Sequence, residues 1–193
     1  MKLQRDFYFE PDVVRIAREL IGKVLFTRYQ GIISGGVITE TEAYNGIMDN
    51  ASHAYKGRRT SRNNVMYNEG GVAYIYLCYG IHSLFNVVTN RRDVPHAVLI
   101  RGMYPLIGID VILKRRGRHM FNRQDYSGPG NVSAALGIHY SESGEDLSGN
   151  KIWIEDRQIA IEQDRVRVTP RIGVDYAGID ALLPYRFLYE GNF

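Results

Sequence analysis

Runs of alternating apolar and polar residues recur along this chain, and they predict a protein built mainly from β-strands. Successive side chains of a strand point to opposite faces, so alternation over about four to eight residues is typical of a half-buried strand. The predicted strands are residues 23–29, 32–44, 72–79, 84–89, 96–103, 152–154, 159–161, 166–169 and 184–189.

Three shorter stretches have helical spacing instead. The first would begin at Pro11, since proline is favourable at the first helical position, and would end at Gly22. The other two are residues 106–113 and 127–136. Helices that do not alternate regularly with strands favour an α+β fold with a mainly antiparallel sheet and flanking helices. With no internal repeat or linker, residues 1–193 are expected to form a single compact domain.

The strand at residues 32–44 has the least ordinary face. Regular alternation would place Ile38, Glu40, Glu42 and Tyr44 on one side of it. Carboxylates are seldom buried unless they are paired with a cation, so this face does not suit plain packing. Two interpretations are open: an edge strand whose glutamates face water, or a strand that forms part of a functional site.

Composition excludes several classes of protein without selecting one. Hydrophobic residues make up 45% of the 193 positions, and a net charge of +3 permits a polyanionic partner without requiring one. The 14 tyrosines are more distinctive, because tyrosine suits interfaces and stacking sites. The single cysteine, Cys78, excludes an internal disulfide. No signal peptide or membrane-length apolar run is visible, which predicts a soluble cytoplasmic protein.

The polar stretch at residues 45–71 has no clear period and contains a cationic, hydroxyl-rich segment at residues 52–64. A long loop in a small domain is usually functional, and these side chains suit contacts with a nucleic-acid backbone. A solvated surface loop is the competing interpretation. The candidate backbone contacts are Arg58, Arg59, Thr60, Arg62 and Asn63. His53 could stack on a ring, carry a proton, or simply hydrogen-bond within the loop.

The segment at residues 74–82 concentrates three tyrosines around a predicted hairpin turn. Tyr74 and Tyr76 share one side of the strand, and Tyr79 approaches the turn. A tyrosine at a hairpin tip is poorly placed for a core but can wedge between base steps. The alternative is a tyrosine-rich face that packs on the sheet.

Arg101 interrupts an apolar strand at residues 96–103. A buried arginine needs a carboxylate or phosphate partner, and Glu42 or Glu40 is the obvious candidate. The five histidines have no metal-ligand spacing among themselves or with Cys78, so no metal site is predicted.

Several separated motifs occur in an order that resembles the alkyladenine (3-methyladenine) DNA glycosylases, in what looks like a bacterial-type member. The motifs span most of the chain, from about residue 8 to residue 190. They are residues 39–44, Ser52-His53, residues 57–63, Tyr74-Ile75-Tyr76, Tyr79-Gly80, Asn86, Arg101, residues 127–130, 135–138, 171–174 and 184–187.

The resemblance implies a monofunctional enzyme without cofactor or metal that excises alkylated and deaminated purines from duplex DNA. A one-domain repair enzyme needs no obligate protein partner, so a monomer is expected. It implies that a hairpin enters the minor groove and that Tyr79 fills the gap left by a flipped base. Glu42 would activate water, held with the help of Arg101 and the backbone carbonyl of Ile172. The base pocket would be formed by Tyr44, His53 and Tyr76, with Asn86 excluding normal guanine.

The residue chemistry agrees with that expectation. A base inside a duplex must be flipped out before an enzyme can act on it. Cleavage of its glycosidic bond passes through an oxocarbenium-like sugar, which favours a nearby carboxylate and a positioned water. Tyrosine faces attract a cationic alkylated purine by about 0.5–2 kcal/mol. Neutral bases such as hypoxanthine need protonation to leave, and the sequence identifies no donor for that proton.

Two other functions remain open at this point. Lys56 could act as an amine nucleophile in a glycosylase with lyase activity, or the protein could bind distorted DNA without catalysis. The chain also departs from the family pattern in two places. Asn131-Val132 replaces an expected Lys-Leu, and the loop at residues 90–95 is longer and more charged than in the mammalian members.

Overall fold

The computed structural model describes residues 1–120, 122 and 126–193. Within these residues, eight strands form one antiparallel sheet with three α-helices packed against it, so the predicted α+β class is confirmed. The strands are β1 (Val24–Tyr29), β2 (Ile32–Tyr44), β3 (Val72–Cys78), β4 (His82–Thr89), β5 (His96–Ile107), β6 (Ile152–Glu155), β7 (Val166–Thr169) and β8 (Arg186–Tyr189), and the helices are α1 (Val13–Glu19), α2 (Ile109–Arg116) and α3 (Pro129–Leu136). None of the described helices is long and apolar enough to cross a membrane.

β2 lies in the interior of the sheet. The strand order is β3-β4-β5-β2-β1-β6, and β8 pairs with both β2 and β7. β5 runs along one side of β2. On the other side, residues 32–37 pair with β1, and Glu40, Thr41 and Glu42 pair with β8. The edge-strand interpretation of the two glutamates is therefore wrong, since strands flank them on both sides.

The predicted faces of β2 are wrong upstream of Glu40, because the alternation of side chains breaks there. Ile38 lies in the main core with Ala43, although the two are five positions apart and regular alternation would place them on opposite faces. The pairing with β5 is irregular at the same place, where Glu40 lies opposite Gly102. A Cβ on Gly102 would lie 2.9 Å from Thr39 Oγ1 and 2.9 Å from Glu40 Cβ, so glycine permits this close approach. Ile38 therefore does not share a face with Glu42.

The main core lies between the sheet and the helices. It contains Ile16 and Leu20 near α1, Ile112 of α2, and Leu136 of α3. A second cluster forms where the loop at residues 45–71 packs on β3, β4 and β5. Its buried members are Ala54, Met66, Tyr67, Val72, Tyr74, Val88 and Ala97. That loop is ordered by short 3₁₀ turns at Gly46–Met48, Tyr55–Gly57 and Asn64–Tyr67.

Several predicted boundaries differ from the structure, and three of the differences have a clear physical reason. The first helix begins at Val13, not at Pro11, because the Asp12 carboxylate caps it by accepting the N–H groups of Val14 and Arg15. The second helix begins only at Ile109. β5 continues to Ile107 by pairing with β2, and Gly108 (φ 67°) turns the chain into α2.

The predicted strand at residues 159–161 is also absent from the structure, which describes this segment without regular pairing. Its two isoleucines pack against different clusters: Ile161 covers the main core, and Ile159 contacts the cluster that contains Trp153. The apolar triplet therefore fills gaps between elements, which a short alternating pattern cannot distinguish from a strand.

Candidate active site

A cleft of about 280 Å³ opens on the side of the sheet where the β3–β4 hairpin and the loop at residues 45–71 meet the end of β2. Six of the residues predicted to act on a base line it: Tyr44, His53, Tyr76, Asn86, Arg101 and Ile172. They come from β2, β3, β4, β5 and two loops, so the fold collects residues that are far apart in sequence.

Glu42 is fully buried directly behind three of these lining residues. The backbone N–H of Ile172 donates to its Oε1 at 2.8 Å, and the Tyr44 hydroxyl donates to its Oε2 at 2.9 Å. The Arg101 guanidinium lies 3.3 Å from Oε1 through its Nε atom. These three donors all border the cleft, so they lie between it and the carboxylate.

Arg101 joins the two glutamates, as its burial in an apolar strand predicted. Its Nε donates to Glu40 Oε1 at 3.1 Å, and its Nη1 lies 3.4 Å from Glu42 Oε2. Glu40 Oε1 also accepts from Arg186 Nε at 2.6 Å, and Arg186 in turn donates to Thr169 Oγ1. Opposite charges alternate along this row, which offsets the cost of burying each of them. Glu40 thus holds Arg101 in place, whereas Glu42 lies directly behind residues that line the cleft.

Burial raises the pKa of Glu42 above its ordinary value. Arg101, the Ile172 N–H and the Tyr44 hydroxyl act in the opposite direction because they stabilise the carboxylate. Glu40 adds a small effect in the same direction as burial, since it carries a like charge. The carboxylate is therefore closer to protonation than a solvated one, which strengthens it as a base.

Aromatic rings form one wall of the cleft. The ring centroids of His53 and Tyr76 lie 4.7 Å apart, and those of Tyr74 and Tyr76 lie 5.4 Å apart. The His53 Nδ1 atom shares a hydrogen bond of 2.8 Å with the Tyr74 hydroxyl. Burial, with Arg62 and Arg58 nearby, lowers the pKa of His53 to about 4. His53 is therefore a neutral ring near pH 7, and of the three predicted roles the proton carrier fits least.

Asn86 has a fixed orientation beside this wall, on β4 directly across from Tyr74 of β3. Its Nδ2 donates to the backbone carbonyls of Tyr74 and Leu84, at 3.1 Å in each case. A side-chain amide has two N–H donors, so both are used and the carbonyl oxygen is the group left for a ligand.

The β3–β4 hairpin ends in a tight turn that exposes two apolar side chains. Tyr79 (φ 51°) and Gly80 (φ 73°) both adopt the left-handed conformation. Tyr79 is 92% exposed while still bordering the cleft, and Ile81 beside it is 73% exposed. A non-glycine residue with positive φ is uncommon and mildly strained, which is consistent with a functional position for Tyr79. The sequence analysis did not single out Ile81.

The cationic segment at residues 52–64 is organised around a buried amide. Asn63 Oδ1 accepts from the Thr60 N–H, and its Nδ2 donates to the carbonyls of His53 and Arg58. Arg58 and Thr60 are exposed, whereas Asn63 is buried. The Asn63 side chain was predicted to contact a DNA backbone. In this conformation its amide oxygen and nitrogen are already hydrogen-bonded within the loop, so they shape the loop instead.

The other two arginines of the segment are partly tied to the protein. Arg62 donates to the Leu77 carbonyl at 2.8 Å, and its guanidinium lies 5.2 Å from the centre of the Tyr76 ring. Arg59 pairs with Asp93 at 3.1 Å and lies over the Tyr67 ring. A second, polar groove next to the cleft is lined by Arg58, Thr60 and Arg62 and shares His53 with it.

Sequence reasoning missed a buried ion pair at the back of the cleft. Arg171 and Asp49 are both buried, and Arg171 Nη2 lies 2.9 Å from Asp49 Oδ1. Arg186, which pairs with Glu40, was missed as well. Arg171 carried the same signal as Arg101, a cation among apolar residues next to a candidate site residue, and could have been found by that argument.

Asn131, which departs from the family pattern, makes a contact between helices. Its Oδ1 accepts from Arg116 Nη2 at 2.7 Å, and its Nδ2 donates to the Ser127 carbonyl at 2.7 Å. Among the residues that the structure describes, no group of three or more histidine, cysteine or acidic side chains is arranged to hold a metal ion.

Comparison with known proteins agrees with the geometry. A model of the methylpurine-DNA glycosylase family matches residues 6–193. A protein of Chlamydia abortus is 44% identical over 187 residues, which cover 96% of this chain and 97% of the relative. A protein of Clostridium perfringens strain 13 is 38% identical over 200 residues, covering 100% of this chain and 97% of the relative. Both carry the name "Putative 3-methyladenine DNA glycosylase".

Proposed function

The chain belongs to the methylpurine-DNA glycosylase family, and we propose that it flips alkylated or deaminated purines out of duplex DNA and removes them with a water activated by Glu42. Family membership makes it a DNA glycosylase, a hydrolase of N-glycosyl bonds that acts in base-excision repair. The proposed lesions are 3-methyladenine, 7-methylguanine, hypoxanthine and ethenoadenine. We also propose that it works as a monomer in the cytoplasm, at the nucleoid if its source is bacterial.

One observation carries the mechanism: a buried carboxylate lies behind an aromatic cleft, in contact with an arginine that borders the cleft. Glu42 accepts hydrogen bonds from Ile172 and Tyr44 and pairs with Arg101. A protein that only binds DNA phosphates gains nothing from a carboxylate there, because it repels the ligand. A hydrolase gains a base that removes a proton from water as the sugar becomes positively charged.

In the proposed complex, the flipped base occupies the cleft between Tyr44, His53 and Tyr76. Purine rings stack on such side chains, and a cationic purine is attracted to their electron-rich faces. Asn86 would then lie at the edge of the base, where a 2-amino group of normal guanine has no room. Its orientation, fixed by two carbonyl groups, supports a role in selecting bases.

The hairpin and the polar groove would contact the remainder of the duplex. Tyr79 would fill the space vacated by the flipped base, since its side chain is exposed at a tight turn beside the cleft. Arg58, Thr60 and Arg62 line the neighbouring groove, which suits the phosphates on either side of the flipped nucleotide. Arg59 would add charge nearby, and Asn63 would act through the shape of the loop.

Arg101 and the backbone carbonyl of Ile172 are proposed to hold the water that Glu42 deprotonates. The hydrogen bond from the Ile172 N–H to Glu42 supports this role, because it holds Ile172 beside the proposed catalytic carboxylate. The carbonyl of the same residue is the acceptor that the water would use.

A lyase mechanism through Lys56 is the first competing proposal. Lys56 is exposed, and its ammonium lies 5.3 Å from the centre of the Tyr55 ring. Of the described residues that line the cleft, none is a lysine, so the geometry favours water as the nucleophile. Borohydride should therefore trap no covalent adduct between the protein and a lesion-bearing duplex, whereas a trapped adduct would support the lyase.

A second competing proposal is a binder of damaged DNA without catalysis. An assay over duplexes that carry single lesions separates it from the enzyme by scoring free base and strand breaks together. We expect free purine from at least one alkylated or deaminated duplex and no strand breaks. Tight binding to every lesion without free base would refute the proposed function and support the binder.

Acid pH should slow the release of 3-methyladenine, starting at a higher pH than a solvated glutamate would cause. Glu42 must be ionised to act as a base, and burial raises its pKa, so falling pH protonates it before an ordinary glutamate at about 4.3. The purine in 3-methyladenine lesions is already cationic, so protonation of the leaving group adds no further dependence of the rate on pH. Single-turnover rates corrected for spontaneous depurination would measure the effect, and a flat profile down to about pH 4 would contradict it.

A further inference from the structure

The buried ion pair of Arg171 and Asp49 connects three separate parts of the site. Arg171 Nη1 donates to Asp49 and also to the Ala43 carbonyl at 2.9 Å, between Glu42 and Tyr44 on β2. Arg171 Nη2 donates to the carbonyl of Asp180 at 3.1 Å. The guanidinium also lies 4.9 Å from the centre of the Tyr44 ring. One side chain thus holds the strand that carries the proposed base.

The Asp49 carboxylate organises the turn on the other side of the pair. It accepts the N–H of Asn45 at 3.0 Å through Oδ2 and the N–H of Ala51 at 3.0 Å through Oδ1. This turn begins directly after Tyr44 and leads into His53, so it sets the distance between two of the rings that line the cleft. Removal of the carboxylate would leave two backbone donors and a buried arginine without their acceptor.

The residue after Arg171 completes the link. Ile172 donates its N–H to Glu42, and it is about half exposed at the border of the cleft. Its neighbour Gly173 is exposed, and the segment is next anchored at Val174, which packs with Ala51 and Ala177, so Arg171 is the anchor directly beside that N–H group. The position of the Ile172 N–H therefore depends on the anchoring of Arg171.

We propose that Arg171 and Asp49 are positioning residues for the glycosylase reaction, which hold the Ile172 N–H on Glu42 and fix Tyr44 and the turn that leads to His53. This inference rests on the proposed function. Neither side chain touches the base, because both are buried behind the cleft. Their effect on the reaction is exerted through Glu42, Tyr44 and Ile172.

Lysine cannot replace Arg171 in this role, since a single ammonium group cannot reach Asp49 and two carbonyls in the planar geometry of a guanidinium. We expect Arg171→Lys and Asp49→Asn to lower the single-turnover rate constant at saturating enzyme by about 10–100-fold, the usual effect of misplacing catalytic groups by a fraction of an ångström to one ångström. The enzyme concentration at half-saturation should change much less, because the hairpin and the polar groove that are proposed to contact the rest of the duplex are untouched. Both quantities come from base-release time courses with enzyme in excess of a lesion-bearing duplex.

Arg115→Lys is the matched control. Arg115 on α2 donates hydrogen bonds to Ser34 of β2 and to the Ala135 carbonyl of α3, and it does not line the cleft. It should leave the rate constant unchanged even if the melting temperature falls. Lower melting temperatures with a wild-type rate constant in both Arg171→Lys and Asp49→Asn would overturn the positioning role and leave a structural one. Wild-type protein that releases no base would instead refute the proposed function.

A measurement on the wild-type chain covers the case in which neither variant folds. The Ile172 amide should exchange its hydrogen slowly, because it is held on a buried carboxylate, while the exposed Gly173 amide should exchange fast. Fast exchange at Ile172 would overturn the inference, since the pair would then not hold this N–H in place.

Discussion

Glu42→Gln should reduce release of a damaged purine by about 10²–10⁴-fold, the range typical for loss of a general base. Glutamine has nearly the same shape and can still accept the Ile172 N–H, so the fold and the aromatic cleft should persist. It cannot accept a proton from water. Binding to a lesion-bearing duplex should therefore survive while the single-turnover rate constant falls, and both can be measured on one DNA substrate.

Glu19→Gln provides the matched control for this substitution. Glu19 lies on α1, pairs with Arg15 on the surface, and does not line the cleft. The control should release base at the wild-type rate. If Glu42→Gln also released base at that rate, the assignment of Glu42 as the base would be refuted, and Glu40 would become the remaining carboxylate in contact with Arg101.

Tyr79→Ser should weaken base flipping by more than it weakens nonspecific binding to duplex DNA. Tyr79 is exposed, so its removal costs little stability, but the hole left by a flipped base would lose the ring that fills it. Stacking of one base on an aromatic ring contributes about 1–3 kcal/mol, which corresponds to about 5–150-fold in the flipping equilibrium. A fluorescent lesion reports flipping, and titration of undamaged duplex reports nonspecific binding.

Ile32→Ser controls for the removal of an exposed apolar side chain. Ile32 begins β2 next to the β1–β2 turn and is half exposed, away from the hairpin of β3 and β4. It should alter neither flipping nor binding. Equal losses of flipping and nonspecific binding in Tyr79→Ser would count against a wedge and would make Tyr79 an ordinary contact residue.

The sequence predicted the strands well, because runs of β-branched and aromatic residues between turn residues indicate strands even where both faces are buried, as in β1, β3 and β4. The pattern failed where contacts between distant elements decide the structure. Asp12 starts α1 because its carboxylate reaches two N–H groups, a choice that the favourable Pro11 obscured. Ile159 and Ile161 resemble a strand but fill gaps beside two separate clusters.

The site was predicted more fully than its supports. Motifs and a family resemblance located Tyr44, His53, Tyr76 and Arg101, and the structure brings all four to one cleft. The pairing of Arg101 with both glutamates followed from the cost of burying an unpaired cation. Burial of Arg171 could be suspected in the same way, but the partners of Asp49, Arg171 and Arg186 were not visible, because most of them lie more than 100 residues away or are backbone atoms. The buried position of Asn63 within its loop was hidden for the same reason.

The irregular step between β2 and β5 sets a limit on how this protein can be redesigned. Strict alternation from Ile38 would direct Glu42 into the core beneath α1 and would present Thr41 to the cleft. Designers usually begin by idealising the backbone, with strands straightened to uniform pleating. Applied to Thr39, Glu40 and Gly102, that procedure would give a tidier sheet and exchange a proposed base for a hydroxyl. A transplanted version of this site must therefore carry the defect in the pleating along with the residues.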